Sequence, residues 1–362
     1  MTTLDGNRER IQSLQVMRGL AAIAVAFYHT HLILSLPEYG GLDTMGHLAV
    51  RGWLGVNFFF VLSGFIILYA HARDIGRPTA LPNYLWRRFI RLYPVYWIFL
   101  TVYIVATVAG LGHPELLNGP AGLLSAYSLI KFVPEPGLPL KVAWTLFYEV
   151  RFYALFAILL LSRRAGLAIM ALWAAGILSR NLGLVALNWD VFSIWNAYFL
   201  VGMLACLSLP RLDSGMWGGI LGIGLLLLAI IAWPIQTGIG DYQDHTEGLL
   251  LLTIPFAMIL TGAVLAERHY RWALPRWTVL LGEASYSIYL VHSAFLSVFA
   301  MLNRKLLPGA LPAELVYVIA FLFAVSGGVV AHLLVERPLL TRLGRFRPGR
   351  PLAPQPQPSA HV

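Results

Sequence analysis

The stretch VMRGLAAIAVAFYHTHLILSL, residues 16–36, decides the fold class because it is long and apolar enough to cross a bilayer. Crossing about 30 Å of hydrocarbon takes about 20 residues of helix. Nine further runs share this character, so the sequence predicts an all-α, polytopic integral membrane protein with about ten transmembrane helices. The ten predicted spans are 16–36, 54–71, 92–112, 142–162, 165–181, 190–209, 216–233, 248–266, 277–302 and 311–336. The apolar segment 120–132 is too short to span, and we interpret it as re-entrant or interfacial.

The composition of the whole chain also indicates a membrane protein. Hydrophobic residues make up 58% of the 362 residues and charged residues 12%, against about 45–50% and about 25% in soluble proteins. This excludes a water-soluble enzyme. The net charge of +9 is spread over short loops, which favours a membrane topology signal over nucleic-acid binding. The single cysteine, Cys206, excludes an intrachain disulfide.

The basic residues predict how the chain is oriented in the membrane. With both termini cytoplasmic, 19 Lys and Arg residues lie on the cytoplasmic side and six on the other. Short cytoplasmic loops carry such an excess. We therefore expect a multi-pass protein of the inner membrane, with both termini in the cytoplasm. We expect residues 1–340 to form one membrane domain and the Arg/Pro-rich residues 341–362 to form a disordered cytoplasmic tail.

Ionisable residues inside the predicted spans are the first candidates for a functional site, because charges are costly in lipid. They are His29, His31, Glu149, Arg151, Glu283 and His292. His29 and Glu149 each lie about seven residues from the outer end of their span, about 10 Å deep. They could share a cavity, in which the carboxylate orients the imidazole for proton abstraction. Alternatively, they form a polar pair that only holds two helices together.

No metal site is predicted from the sequence. His29 and His31 differ by about 200° around a helix, so they cannot bind one metal from the same helix. Other His, Cys and carboxylate residues do not have metal-ligand spacing. Arg18 precedes His29 by about three turns, about 16 Å, on the same helix face. This face links the basic surface to the interior histidine.

Three arginines, Arg87, Arg88 and Arg91, lie where the third predicted span begins. Arg88 and Arg91 are about 60° apart on a helix, so both guanidinium groups can point into one pocket. Such a pair suits a phosphate-bearing ligand. The alternative is that these residues only set the membrane topology.

The ninth predicted span carries a polar stripe. Ser285, Tyr289 and His292 fall within about 60° of one another around a helix. A Ser/His nucleophile pair is excluded, because seven residues span about 10 Å along the axis. The stripe could line a substrate site. Alternatively, His292 could only form a hydrogen bond to a neighbouring helix.

Six motifs occur in one order along the chain: LQVMRGLAAIAVAFYH (14–29), GVNFFFVLSGFII (55–67), RRFIRLYPVYW (87–97), WTLFYEVRFY (144–153), SYSIYLVH (285–292) and VERP (335–338). In this order and spacing the chain resembles the membrane-bound acyltransferase-3 family, which includes O-antigen acetylases and exopolysaccharide-production acyltransferases. The resemblance runs from the first predicted span to the end of the tenth.

The resemblance implies a set of site residues. Arg18 and His29 match the family's Arg and His of the first span. Arg88 and Arg91 match its Arg-x-x-Arg pair, and Glu149 matches its buried carboxylate. The implied roles are catalysis for His29 and Glu149. Donor binding is implied for Arg18, Arg88 and Arg91. The residues expected to line the substrate are Asn57, Trp144, Ser285, Tyr289 and His292.

Two positions depart from the family's pattern. Asn57 stands where many relatives carry Asp, so a carboxylate cannot be required there. Thr145 replaces the Ser of the family's Trp-Ser-Leu, which keeps a hydroxyl group.

The resemblance implies that residues 1–340 form a membrane O-acyltransferase domain, without the extra periplasmic domain of some relatives. It would move an acyl group, most simply acetyl, from acyl-CoA to a hydroxyl of an envelope or secreted polysaccharide or glycolipid. No permanently bound cofactor is expected. The expected partners are the lipid bilayer, acyl-CoA and the glycan acceptor, and not nucleic acid. Direct transfer with His29 as base and an acyl-histidine relay are both open.

Two other functions are compatible with a polytopic membrane protein. A polytopic transporter of a glycan, lipid or proton would use His29 and Glu149 as a relay. Many transporters contain inverted repeats with broken spans, and we find no convincing repeat of this kind in the sequence. A scaffold subunit for polysaccharide synthesis would leave the buried polar residues without a role.

Overall fold

The computed structural model describes residues 11–111, 118–134, 137–186, 189–234, 246–271 and 273–346. Over these ranges the chain is helical and contains no strand. Within these ranges the α-helices of seven or more residues are α1 (Gln12–Leu34), α2 (Leu54–His71), α3 (Leu81–Ala106), α4 (Gly119–Ser128), α5 (Trp144–Leu161), α6 (Arg163–Asn181), α7 (Trp195–Ser208), α8 (Trp217–Ala232), α9 (Thr246–Tyr270), α10 (Arg276–Leu306), α11 (Ala313–Ala331) and α12 (Arg337–Leu343).

The polytopic all-α prediction is confirmed. Among the described residues, nine helical stretches are long and apolar enough to cross a membrane, and they coincide with nine of the predicted spans. The remaining predicted span, 165–181, is α6, a helix of 19 residues that is less apolar and carries arginines at both ends. The apolar segment 120–132 contains only α4, of 10 residues, which is too short to span.

Helix α3 begins well before its predicted span. It starts at Leu81 and continues through Pro94, so Arg87, Arg88 and Arg91 lie within the helix and not in a loop ahead of it. A proline within a membrane helix is tolerated where neighbouring groups take over the lost hydrogen bond. The arginines are therefore fixed to a rigid element.

Helix α1 lies at the centre of the bundle and packs most extensively against α10 and α2. The two helices α1 and α10 run parallel. Gly282 allows close contact near their first turns, because a Cβ there would lie 2.0 Å from the Gln15 carbonyl oxygen. Such close approach of small residues is how membrane helices gain packing energy. Glu267 of α9 accepts hydrogen bonds from the first backbone N–H groups of α1, Gln12 and Ser13, both at 2.7 Å.

The end of the chain continues the helical bundle further than the predicted domain boundary at 340. Helix α12 runs to Leu343, and a short 3-10 turn follows over Gly344–Phe346. The rest of the predicted tail, 347–362, lies outside the described residues. The division into a membrane domain and a tail stays a prediction.

Candidate active site

A cavity of about 400 Å³ lies among α1, α2, α3, α5 and α10. Its polar and charged walls come from Arg18, Ser63, Arg87, Arg88, Arg91, Thr145, Glu149, Tyr153, Ser285, Tyr286 and Tyr289. The rest of the lining is apolar, from residues such as Phe59, Ile66 and Leu146. A membrane-embedded cavity that combines charged and apolar walls is the natural candidate for the functional site.

The two ends of the cavity differ in chemical character. Arg88 lies over the ring of Tyr153, with the guanidinium carbon 5.7 Å from the ring centre. Thr145 lies eight residues earlier in α5, which is about 12 Å along the helix axis. The arginines therefore line one end of the cavity, which we call the arginine end (Arg18, Arg87, Arg88 and Arg91). Thr145 and Tyr289 line the opposite part.

The arginine end has hydrogen-bond donors that the protein does not use. Among the described residues, Arg87 Nε, Arg88 Nε and Arg91 Nη2 are buried and have no partner. Arg18 makes one long hydrogen bond of 3.4 Å to Gln15 Oε1. Buried donors are nearly always satisfied in folded proteins, so unpaired guanidinium nitrogens on residues that line a cavity indicate a ligand with several acceptor oxygens.

Glu149 lies between the arginine end and the opposite part of the cavity. Its Oε1 accepts hydrogen bonds from Tyr153 and, at 3.3 Å, from Ser63. Glu149 and Arg91 are among the charged neighbours of Arg18. The carboxylate therefore offsets part of the positive charge of the arginine end.

The expected contact between His29 and Glu149 is wrong: Glu149 bonds to Ser63 and Tyr153, and the ring of His29 packs against His292 of α10, 4.8 Å between ring centres. His29 Nδ1 lies 2.9 Å from the Val25 carbonyl oxygen. Sequence spacing gives the depth of a residue in the membrane but not which helix lies beside it. Because α1 packs along α10, His29 meets a histidine at its own level.

Hydrogen bonding fixes the tautomer of this histidine pair, His29 and His292. His292 is fully buried, and its Nδ1 lies 3.0 Å from the Ile288 carbonyl oxygen. A carbonyl oxygen only accepts, so Nδ1 carries the proton in both rings. In the neutral rings Nε2 is then the basic nitrogen. His29 is partly exposed, whereas His292 Nε2 is buried with no partner in the described part of the chain.

Tyr289 connects the cavity to the histidine pair. It lines the cavity, and its ring centre lies 6.0 Å from that of His292. Its hydroxyl is 2.9 Å from Thr145 Oγ1 and 3.1 Å from the Val142 carbonyl oxygen. Ser285 lines the cavity as well, with a buried Oγ that has no partner among the residues described.

Four expected site residues do not line this cavity: His29, Asn57, Trp144 and His292. Trp144 packs on Trp195, with ring centres 5.3 Å apart, and the cavity wall beside it is Thr145. Asn57 is fully buried on α2, and its amide has no partner within the described ranges. His292 lies behind Tyr289. One residue of offset on a helix turns a side chain by about 100°, so a motif match alone does not settle which neighbour faces the cavity.

Sequence reasoning missed several residues that hold the site together. Glu336 is fully buried and forms an ion pair with Arg91, Oε1 to Nη1 at 2.7 Å. Tyr286 lies under the Arg91 guanidinium, 5.5 Å from it, and Tyr153 lies under Arg88. The available signal was the VERP motif, whose Glu336 is the last carboxylate of the sequence and falls at the end of an apolar run.

The other charged residues of the predicted spans lie elsewhere. Arg151 donates to the Asp190 carbonyl oxygen at 3.0 Å and contacts the ring of Tyr148. Glu283 does not line the cavity. In the part of the chain that the structure describes, no group of three His, Cys, Asp or Glu residues could hold a metal ion.

Comparison with known proteins decides what kind of protein carries this cavity. A family model described as an acyltransferase domain matches residues 11–333, nearly the whole chain. The chain belongs to the acyltransferase-3 family. It is therefore an acyltransferase, and the resemblance of its motifs is confirmed. The function of a transporter or a scaffold is not supported.

The curated relatives agree with this family. Exopolysaccharide production protein ExoZ of Rhizobium meliloti is 30% identical over 84% of this chain and 94% of its own length. Acyltransferase MdmB of Streptomyces mycarofaciens is 26% identical over 97% of this chain and 96% of its own. Peptidoglycan O-acetyltransferase OatA of Listeria monocytogenes is 28% identical over 43% of this chain and 25% of its own. No solved structure matches the chain.

Proposed function

We propose that this acyltransferase moves an acetyl group from acetyl-CoA to a hydroxyl group of a cell-envelope or secreted polysaccharide or glycolipid. The names of two relatives, an exopolysaccharide production protein and a peptidoglycan O-acetyltransferase, support the glycan acceptor. The single observation that carries the donor is the set of unpaired guanidinium nitrogens at the arginine end.

Coenzyme A suits this end of the cavity because it carries several phosphates. Arg88 and Arg91, with Arg18 beside them, present planar donor groups, which match phosphate oxygens bidentately. The apolar lining of the cavity, which includes Phe59, Ile66 and Leu146, suits the uncharged arm of the donor. The thioester would then lie near Tyr289 and Ser285.

The histidine pair supplies the base. The Val25 carbonyl holds the proton of His29 on Nδ1, so Nε2 is free to accept the proton of the acceptor hydroxyl. As that proton moves to Nε2, the hydroxyl oxygen forms a bond to the acyl carbon and the carbon–sulfur bond breaks. The imidazolium then returns the proton to the CoA thiolate. Tautomer control, expected of Glu149, thus falls to a backbone carbonyl.

The proposed donor also determines the orientation of the protein in the membrane. Acyl-CoA is found in the cytoplasm, so the arginine end would face the cytoplasm, with both termini on that side of the inner membrane. The excess of Lys and Arg in alternate loops supports this orientation. The acceptor hydroxyl would approach from the opposite side, toward the histidine pair.

The test uses purified protein in lipid vesicles with radiolabelled acetyl-CoA and extracted exopolysaccharide. We expect label in the glycan that mild alkali removes, as an O-acetyl ester requires. The His29→Ala variant should transfer label at least about 100-fold more slowly, whereas His31→Ala should transfer normally. Label from another acyl donor but not from acetyl-CoA would overturn the donor assignment. No alkali-labile label with any glycan offered would overturn the acceptor assignment.

A further inference from the structure

Glu336 is a buried carboxylate behind the wall of the arginine end, with no exposed surface. Its Oε1 accepts from Arg91 Nη1 at 2.7 Å. Its Oε2 accepts from Ser287 Oγ at 2.7 Å and from His332 Nδ1 at 2.8 Å. Both oxygens are occupied within the protein, and Glu336 does not line the cavity. The carboxylate therefore acts on the cavity only through Arg91.

Arg91 is held on two sides. Glu336 pairs with Nη1, and the ring of Tyr286 lies 5.5 Å from the guanidinium carbon. The other terminal nitrogen, Nη2, is buried and has no partner in the described residues. One edge of the guanidinium is thus fixed, and the remaining edge is left for a ligand. Fixing the group in advance removes the entropic cost of ordering it on binding.

The backbone around Glu336 is unusual as well. Residues His332–Glu336 form a π-helical turn between α11 and α12. Such turns are rare and are frequent at functional sites. Here the turn ends on the carboxylate that Arg91 needs, and His332, one turn before, satisfies its second oxygen.

Arg88 offers the contrast. Its guanidinium lies over the ring of Tyr153 and makes no salt bridge with a carboxylate in the described ranges. Its orientation does not depend on Glu336. A change at Glu336 should therefore reach one of the two arginines and not the other.

We propose that Glu336 is a positioning residue, which holds the Arg91 guanidinium so that its free edge binds the phosphate-bearing part of the donor. This rests on the proposed donor site at the arginine end. Neutral Gln in its place would set an amide N–H against one of the surrounding donors, and the fixed orientation of Arg91 would be lost. Asp would keep the charge but shorten the reach.

The first experiment measures binding of coenzyme A to purified protein in nanodiscs by titration calorimetry. Loss of a hydrogen bond to a charged group should weaken binding about 10-fold in Glu336→Gln. Glu336→Asp should recover part of that loss. The matched control is Glu267→Gln, since Glu267 also accepts two hydrogen bonds but from backbone N–H groups of α1. It should lower thermal stability and leave coenzyme A binding unchanged.

A double variant shows whether Glu336 acts through Arg91. If it does, Arg91→Ala combined with Glu336→Gln should bind coenzyme A no more weakly than Arg91→Ala alone. Losses that multiply would overturn the inference. So would normal coenzyme A binding by Glu336→Gln in protein that is folded and monodisperse.

A second measurement does not depend on the donor. Phenylglyoxal modifies accessible arginines, and peptide mass spectrometry follows Arg91 with Arg88 as the internal reference. Arg91 should be modified several-fold faster in Glu336→Gln than in the parent protein, while the rate at Arg88 stays the same. Equal rates at Arg91 would overturn the inference. If the parent protein fails to bind coenzyme A, the donor assignment falls, and this measurement still decides the role of Glu336.

Discussion

The arginine end of the cavity and the histidine pair are built on opposite principles. The arginine end has four guanidinium groups and two nearby carboxylates, of which Glu336 pairs with Arg91 and Glu149 bonds to Ser63 and Tyr153. Several guanidinium N–H donors there have no partner among the described residues. The histidine pair contains two rings, each with Nδ1 held by a carbonyl of its own helix, and no carboxylate bonds to either ring in the described residues. The first region is suited to hold charge, and the second to accept a proton.

This difference indicates that donor binding and proton transfer are carried out by separate regions of one helical bundle. Tyr289 lies between the two regions, lining the cavity on one side and contacting His292 on the other. Variants at the arginine end should therefore change the KM or Kd of the donor, and variants of the histidine pair should change kcat.

Loss of the base should have the largest effect. We expect His29→Ala to lower kcat by about 10²–10⁴-fold, the usual contribution of general acid–base catalysis, with the Kd of the donor unchanged. His31→Ala is the control, because His31 faces another way and bonds to the Thr44 carbonyl oxygen. Steady-state transfer of label to the glycan measures both. An inactive His31 variant beside an active His29 variant would reverse the assignment.

Loss of an arginine should come next, and it should act on the donor. We expect Arg88→Ala and Arg91→Ala each to raise the donor KM about 10- to 100-fold, since each removes charge-assisted hydrogen bonds. Lys at either position should rescue poorly, because a point charge does not replace a planar fork. Arg164→Ala, an exposed arginine at the start of α6, controls for general surface charge. Unchanged donor kinetics in both Ala variants would return these arginines to a purely topological role.

The partner of His29 can be tested next. We expect His292→Phe, which keeps a ring but removes Nε2, to lower kcat about 10-fold, as contacting residues couple by about 0.5–3 kcal/mol. His292→Gln should recover part of the loss. Combined with His29→Ala, either change should add nothing further. A larger loss in the double variant would mean that His292 acts apart from His29.

The smallest effect is expected at Glu149. Gln at this position can still accept from Tyr153, so we expect Glu149→Gln to lower transfer only about 3- to 10-fold. Because Glu149 bonds to Ser63 and Tyr153 and not to the histidine pair, its loss should multiply with that of His292→Phe. A double variant no worse than His292→Phe alone would restore the His29–Glu149 dyad that sequence spacing had predicted.

The parts of the fold that depend on hydrophobicity along one segment were predictable. The spans and the polar stripe of Ser285 and Tyr289 follow from local periodicity. The part of α3 that carries Arg88 and Arg91 lies before the predicted span, because charged residues interrupt the apolar run there. Pairing between helices was not predictable, because depth along a span does not identify the neighbouring helix. For this reason His29 was assigned to Glu149 although α10 brings His292 to it. Glu336 was missed although it lies in the VERP motif, because its pairing with Arg91 depends on which helix packs beside α3.

The most direct test of the division is to measure coenzyme A binding and single-turnover acetyl transfer side by side in His29→Ala and Arg88→Ala. We expect His29→Ala to bind coenzyme A like the parent protein but to transfer acetyl groups to the glycan at least about 100-fold more slowly. We expect Arg88→Ala to bind coenzyme A weakly, and saturating acetyl-CoA to restore most of its transfer rate. Lost coenzyme A binding in His29→Ala, or a transfer rate in Arg88→Ala that no donor concentration restores, would show that binding and proton transfer are not divided between the two regions.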